Sequence, residues 1–283
     1  MKFRNLLAAG LAACSLFTLA ACKSDSGTTD WDQYRQEENI IDSVATGSGE
    51  TAGTLTFESI DSDSVRITGY VGPETPHSLT IPATVQTSTD TSVAPKKVAA
   101  IGARAFHSLS NLTEVVLPEG LTEIEDYAFA ECKQLTQVTI PSTLETMGEA
   151  AFYGCSMLTG LGAIDASKLA AIPAHCYAEC TALTEVTIPG NIKTVGEGAF
   201  RDCSGLKTVT LAEGVETLGD ACFINAKNIE ALNLPSTLTN TDPTEDQTFA
   251  GVTKLTDSSV KCPDNAPESV KSFITKLLGL EEN

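Results

Sequence analysis

Histidine, tryptophan and basic residues are scarce in this sequence. Its 283 residues hold three His, one Trp and 18 Lys+Arg against 37 Asp+Glu, for a net charge of −19. A surface of that sign repels phosphate, which excludes nucleic-acid binding as a function class. The histidines, His77, His107 and His175, stand far apart at unmatched positions, so no general base is assembled locally. There is no GxSxG, HExxH, phosphate-loop or dinucleotide signature, and no calcium loop with its regular Asp spacing. Acidic residues such as Glu123, Glu125, Asp126, Glu145, Glu149 and Glu197 follow turns and read as a solvated face. The chain is therefore expected to be no enzyme and to carry no cofactor and no metal. Disorder is excluded by an apolar fraction of 42%, ample for the packed core of one or two domains.

Long apolar runs are missing too, except for Leu6 to Ala21, which follows Lys2 and Arg4 and reads as a bacterial export signal. It is too short and too poorly flanked for a membrane anchor. The run closes on LAAC, Leu19 to Cys22, which resembles the lipobox of bacterial lipoproteins, where the cysteine is diacylated and becomes the first mature residue. An earlier LAAC ends at Cys14, but the still hydrophobic SLFTLAA follows it, whereas Cys22 is followed by the polar KSDSGTTDWDQ. Residues 1–21 are thus expected to be a lipoprotein signal peptide and Cys22 the lipidation site. Acyl chains anchor through several buried CH₂ groups at about 0.8 kcal/mol each. Loss of Lys2 and Arg4, with no acidic residue, would take the net charge to −21. Residues 22–53, rich in Ser, Thr, Gly, Asp and Glu, read as a flexible tether, with Trp31 and Tyr34 inside it.

Beyond the tether the chain repeats itself. Phe106, Phe129, Phe152, Tyr177, Phe200, Phe223 and Phe249 recur at intervals of 23, 23, 25, 23, 23 and 26 residues. The unit is roughly IGxxAFxxCxxLxxVxIPxxLxx. Its LxxVxI part alternates as a strand buried on one face does, and the proline that follows at 118, 141, 189 and 235 ends it. One such unit has too small an apolar face to fold alone, so the units must stack. The pattern is similar to leucine-rich repeats, and more closely to the BspA-like subfamily with its 23-residue IGxxAFxxCxxLxxVxIP unit, over about Leu55 to Val260. The resemblance implies a leucine-rich repeat solenoid: a curved parallel β-sheet with short turns or helical segments in each repeat. Residues 54–100 are expected to be an N-terminal cap with an atypical first repeat, 101–260 the repeats, and 261–283 a C-terminal helical cap. The amphipathic spacing of Val270, Phe273, Ile274, Leu277 and Leu278 predicts that helix. The position usually held by a ladder asparagine reads Gly120, Thr143, Asn191, Gly214 and Thr237, so no continuous asparagine ladder is expected.

Cys132, Cys155, Cys180 and Cys203 share one repeat position, where the next copy has Ala226. At about 4.8 Å per rung the four would span about 14 Å, too far for one zinc with its sulfurs at about 2.3 Å. They read as small packing residues, with disulfides between neighbouring rungs the other geometry the spacing permits. Cys176 and Cys222 replace an inward alanine. If Val138, Ile140 and their equivalents face inward, then Thr80, Val116, Thr139, Thr187, Thr210 and Asn233 face outward, flanked by Glu114, Gln137, Glu185 and Thr208. Strand propensity alone would place threonine there, and so would a binding surface. Few aromatics lie on that face, which speaks against saccharide stacking.

Relatives of the BspA-like subfamily include surface adhesins. The resemblance implies protein recognition, with a host extracellular or bacterial surface protein as partner. An outer-membrane, lipid-anchored place at the cell surface goes with it, although KSDS is a poor match to the acidic export signals of Bacteroidetes lipoproteins. A structural envelope role and accessory glycan binding are the other readings.

Overall fold

A computed structural model describes residues 43–46, 53–162, 164, 167–239 and 247–280. The expected signal peptide, Cys22 and most of the tether lie outside them. The N-terminal part is β1 (Ser43–Thr46), β2 (Gly53–Ser59), β3 (Ser64–Val71), β4 (His77–Thr80), β5 (Thr84–Val85) and β6 (Lys96–Ile101). Strand β1 falls inside the stretch expected to be tether. SVAT is short but has the β-branched residues of a strand, and it pairs antiparallel with β2, covering what would otherwise be an open edge. β2 and β3 form an antiparallel pair, and β3 then pairs in parallel with β6, where the repeats begin.

The repeats that follow contribute strands of up to five residues on one side and two-residue strands on the other, although the Phe152 repeat shows no strand of the first kind among the described residues. In chain order these are β7 (Leu112–Val116), β8 (Glu123–Ile124), β9 (Gln137–Thr139), β10 (Thr146–Met147), β11 (Ala171–Ile172), β12 (Glu185–Ile188), β13 (Thr194–Val195), β14 (Thr208–Leu211), β15 (Thr217–Leu218), β16 (Ala231–Asn233) and β17 (Val260–Lys261). The long strands pair in parallel as β4-β7-β9 and β12-β14-β16-β17. The short ones extend β6 through β8 to β10 and form β11-β13-β15. The parallel pairing is as expected, but the single sheet is not: two ladders run side by side, and both are interrupted between the Phe152 and Tyr177 repeats. The second ladder escapes a pattern search because two residues are too few to alternate. In β10, β13 and β15 the strand is followed by a glycine packed against the neighbouring repeat. A Cβ on Gly148 would lie 2.3 Å from Asp126 N, and one on Gly196 2.5 Å from Ala174 N, so the neighbouring backbone leaves room for hydrogen alone.

Among the described residues, 101–260 hold no α-helix, only one 3-10 turn at Asp257–Ser259 before β17, and the turns that carry the aromatic residue form a third ladder. Phe129 N–H donates to Ala151 O at 2.8 Å, Phe152 N–H to Cys176 O at 2.9 Å, and Tyr177 N–H to Ala199 O at 2.8 Å. The residues two before and two after each aromatic donate forward in the same way, for example Tyr127 to Glu149 O and Glu131 to Tyr153 O. Those flanking residues adopt left-handed backbone even when they are not glycine: Arg104, Tyr127, Ala150, His175 and Ala221 before the ring, and Ser108, Glu131, Glu179, Asp202 and Asn225 after it, all have φ between 53° and 62°. Such backbone is unfavourable for a side-chain-bearing residue. The hydrogen bonds to the next repeat hold it in place.

Inside, the rings of Phe106, Phe129, Phe152, Tyr177, Phe200, Phe223 and Phe249 stack in one column, with successive centroids 4.9 to 5.6 Å apart and planes within 9°. Tyr70 tilts against the first ring at 5.9 Å, and Phe273 meets the last edge-on at 6.1 Å. Phe273 lies on the one α-helix among the described residues, α1 (Glu268–Leu277), which buries Val270 and Phe273. Proline stands at its N-cap, Lys276 in its last turn favours the dipole, and Gly279 follows at φ +63°. No helix among the described residues is long and apolar enough to cross a membrane.

The turns after the strands interlock in a way that depends on which residues alternate. Gly120 N–H donates to Thr143 Oγ1 at 2.9 Å, and Thr143 Oγ1 donates to Leu121 O at 2.7 Å, while Glu119 accepts from Ser142 N and Oγ. Gly214, Thr237, Glu213 and Ser236 repeat the same four contacts. Where an asparagine does occur, Asn191 Nδ2 donates to Ile164 O at 3.0 Å and to Leu169 O at 3.1 Å. Glu-Gly in one repeat and Ser-Thr in the next therefore do the joining of an asparagine ladder.

Because the column has rings on both sides of Phe152, replacing it leaves two faces uncovered. We expect Phe152→Ala to cost about 3 to 5 kcal/mol, read as a lower urea midpoint followed by circular dichroism. Ala221→Gly, at φ +53°, is expected to raise stability by up to about 1 kcal/mol as left-handed strain is relieved and glycine entropy partly offsets the gain.

Candidate functional site

Thiols are the most nucleophilic groups in the repeats, and the structure gives each of the four equivalent ones a packing task. Cys132 Sγ donates to Phe106 O at 3.0 Å, Cys155 to Phe129 O at 3.2 Å, Cys180 to Phe152 O at 3.3 Å and Cys203 to Tyr177 O at 3.1 Å. Each thiol thus binds the aromatic residue one repeat earlier, a donor role that the reading as a small apolar residue missed. Ala226 shows that the position tolerates loss of the bond. Among the described residues no cysteine forms a disulfide. Burial pushes the Cys132 and Cys203 thiols up to about 12, and those of Cys155, Cys176 and Cys180 well up also. A protonated, fully enclosed thiol is neither a nucleophile nor a metal ligand.

The residues expected to face outward do so, in two groups. In the first, Glu114 sits beside Gln137 and Val116 beside Thr139, all four exposed. In the second, Glu185 pairs with Thr208, and Thr187 with Thr210, which is followed by Asn233. Glu185 and Thr187 are exposed, and Thr208, Thr210 and Asn233 half-buried. Asn233 Nδ2 donates to Thr210 Oγ1 at 3.0 Å, so this end of the row is fixed. Between the groups, Thr159 still donates to Thr136 O at 3.1 Å, but the described residues from Gly160 to Ala170 form no strand. The rows share a chemistry of hydroxyls, amides and two carboxylates, with no ion pair joining them. They offer hydrogen bonds and flat area to a partner rather than a reactive group.

A second surface lies on the turn side, and the sequence reading passed over it. Tyr127, Ala150, Tyr153, His175, Ala178, Glu179 and Arg201 line an open depression of about 340 Å³. They occupy the positions two before, one after and two after the stacked rings; Ala150 and Ala178 are buried, Tyr127, Tyr153 and His175 half-buried, and Glu179 and Arg201 exposed. Arg104 stands 5.2 Å from the Tyr127 ring centroid. Tyr153 donates its hydroxyl to Glu179 Oε1, and that carboxylate, with partial burial, pushes the phenol up to about 12. Arg201 places Nε 2.9 Å from Asp202 Oδ2. The sequence held a usable signal here: reading down one repeat column, Tyr127, Ala150, His175 and Gly198 alternate large with small. His175 stands isolated in the sequence because its neighbours Tyr153 and Arg201 lie one repeat away on either side. His77, by contrast, is buried, with Nε2 3.2 Å from the Tyr70 hydroxyl and Nδ1 2.9 Å from Thr75 O.

A sequence profile of the BspA type leucine-rich repeat region matches the chain in six copies, over residues 83–163 and 170–274. Among solved structures, a leucine-rich cell surface protein from Faecalibacterium prausnitzii is 28% identical and superposes with a TM-score of 0.60, over 77% of this chain and 54% of that one. The chain thus spans about half the length of that relative. A leucine-rich repeat protein from T. pallidum is 20% identical (TM-score 0.46, 62% of this chain, 87% of that one). One from Bacteroides capillosus is 26% identical (TM-score 0.38, 59% and 98%). No curated protein matches the chain.

The buried thiols carry a pH dependence whose sign follows from their shift. Below about pH 9 the unfolded thiols are protonated like the folded ones and the preference for the neutral form counts in full. As pH rises from there towards about 12 the unfolded chain ionises first, so this stability is lost. Urea midpoints are expected to fall more steeply between about pH 9 and 11 for the parent than for the Cys132→Ala/Cys203→Ala double variant. Equal slopes would contradict the assignment.

Proposed function

The chain belongs to the BspA-type leucine-rich repeat family, and from that premise we propose that it is a cell-envelope lipoprotein that presents its repeats for protein recognition. In this reading Cys22 carries the lipid, residues up to about 53 hold the repeats away from the bilayer, and α1 closes the C-terminal end of a curved sheet. The ligand is a protein on a host or bacterial surface, engaged through Glu114, Val116, Gln137, Thr139, Glu185, Thr187, Thr208, Thr210 and Asn233.

The observation that carries the proposal is the exposure of Glu114, Val116, Gln137, Thr139, Glu185 and Thr187, continued by the half-buried Thr208, Thr210 and Asn233, in paired rows on strands whose other face is used by the core. A surface built this way is fixed by the backbone ladder and costs little ordering on binding. Repeats of this kind serve generally as non-enzymatic recognition scaffolds. The net negative charge favours partners with a basic or neutral face over the anionic bilayer itself.

Intact cells producing the chain are expected to bind antibody raised against residues 54–280 and to lose the protein to external protease. Cys22→Ser should release it from the membrane fraction. Protection from protease on intact cells, with the lipid anchor present, would overturn the adhesin reading. Thr139→Arg and Thr187→Arg should each weaken attachment to the cognate surface by at least tenfold and leave the unfolding midpoint unchanged.

A further inference from the structure

The turn-side depression has the composition of a ligand site, and it is independent of the strand rows. Its floor is Ala150 and Ala178, both buried, and its walls are Tyr127, Tyr153, His175, Glu179 and Arg201. A volume of about 340 Å³ is at the low end of the roughly 300 to 1,000 Å³ of small-ligand sites. Two glycines keep its surroundings open. A Cβ on Gly198 would come within 2.5 Å of His175 Nδ1, and one on Gly154 within 2.9 Å of Glu131 Oε1.

The groups that are spoken for, and those that are not, define the ligand. Tyr153 spends its proton on Glu179 Oε1, which positions the carboxylate and leaves Oε2 to accept. Arg201 is held through Nε by Asp202, which leaves its terminal nitrogens to donate. Neither the Tyr127 hydroxyl nor the His175 ring has a partner among the described residues. Two planar, pre-set groups of opposite kind, one accepting and one donating, match adjacent hydroxyls, each of which both donates and accepts. Tyrosine rings and alanine methyls match the C–H faces between those hydroxyls.

Charged ligands fit less well. A cation would meet Arg201, and the Tyr127 ring already has Arg104 against it. An anion would meet Glu179, with Glu131 close by and a net charge of −19 around it. We infer that the turn side of the Phe129 to Phe200 repeats carries a binding site for a neutral saccharide. Aromatic residues are indeed few on the strand face. They are on the opposite side, where the left-handed turns present them.

The test is saturation-transfer NMR and calorimetry on the full chain with uncharged oligosaccharides of the glucan, mannan and xylan types, beside an oligogalacturonide and an oligolysine peptide. At least one uncharged oligosaccharide should bind saturably, and Tyr127→Ala and Arg201→Gln should each weaken it tenfold or more. Arg201 is exposed and Tyr127 lies outside the ring column, so both variants should unfold at the parent midpoint; should Tyr127→Ala fail to fold, Arg201→Gln and Glu179→Gln decide. Thr139→Arg and Thr187→Arg should leave saccharide binding unchanged while they weaken the protein contact, which separates the two sites. Failure of every uncharged oligosaccharide to bind overturns the inference. So does binding of only the oligogalacturonide or only the peptide, or saccharide binding that none of the three turn-side variants alters.

Discussion

The spacing between one repeat and the next is the constraint on which everything else depends. Parallel strands sit about 4.8 Å apart, and aromatic rings at 4.9 to 5.6 Å between centroids are in contact at the same pitch. A fold that stacks strands therefore stacks rings without distortion, provided every repeat puts its ring at the same height. The 23-residue period is the length of chain that returns it there. Longer intervals are absorbed away from the rings: the 25-residue step from Phe152 to Tyr177 keeps a centroid distance of 5.5 Å and a plane angle of 5° while the strands on both sides are interrupted.

The left-handed turns follow from that constraint. To place a ring inward and still donate hydrogen bonds to the next repeat, the chain must reverse sharply before and after the aromatic residue. Ala, Tyr, His, Glu, Asp and Asn all accept the conformation here, at a local cost that the forward hydrogen bonds offset. The cysteine thiols add one more tie between successive turns. What is exposed is then a consequence of what is enclosed. Side chains on the left-handed positions point out because the ring between them points in.

Much of this was legible in the residues. The ring column, the inward Val and Ile of the strands and the outward Thr rows all follow from one register, and a single aligned phenylalanine is enough to fix it. The C-terminal helix showed itself through Val270 and Phe273 at helical spacing. Other features left no trace that periodicity could detect. Strands of two residues such as Thr194–Val195 cannot alternate, and β1 is four residues long in a polar setting. The thiol-to-carbonyl bonds look, in sequence, like any small buried residue. The turn-side cluster is spread over Tyr127 to Arg201, so it becomes a cluster only when residues 23 to 26 apart are read as neighbours.

The interruption between the Phe152 and Tyr177 repeats also gives the molecule a mechanical character. On either side of it strands are laced by backbone hydrogen bonds, and across it both β ladders stop. Among the described residues the step is crossed instead by the turn backbone, the ring contact and scattered links such as Lys168 N–H to Leu144 O, Cys180 Sγ to Phe152 O and Tyr153 to Glu179. Tension along the stack would therefore load separate bonds there, where a continuous ladder shares the load among bonds in parallel.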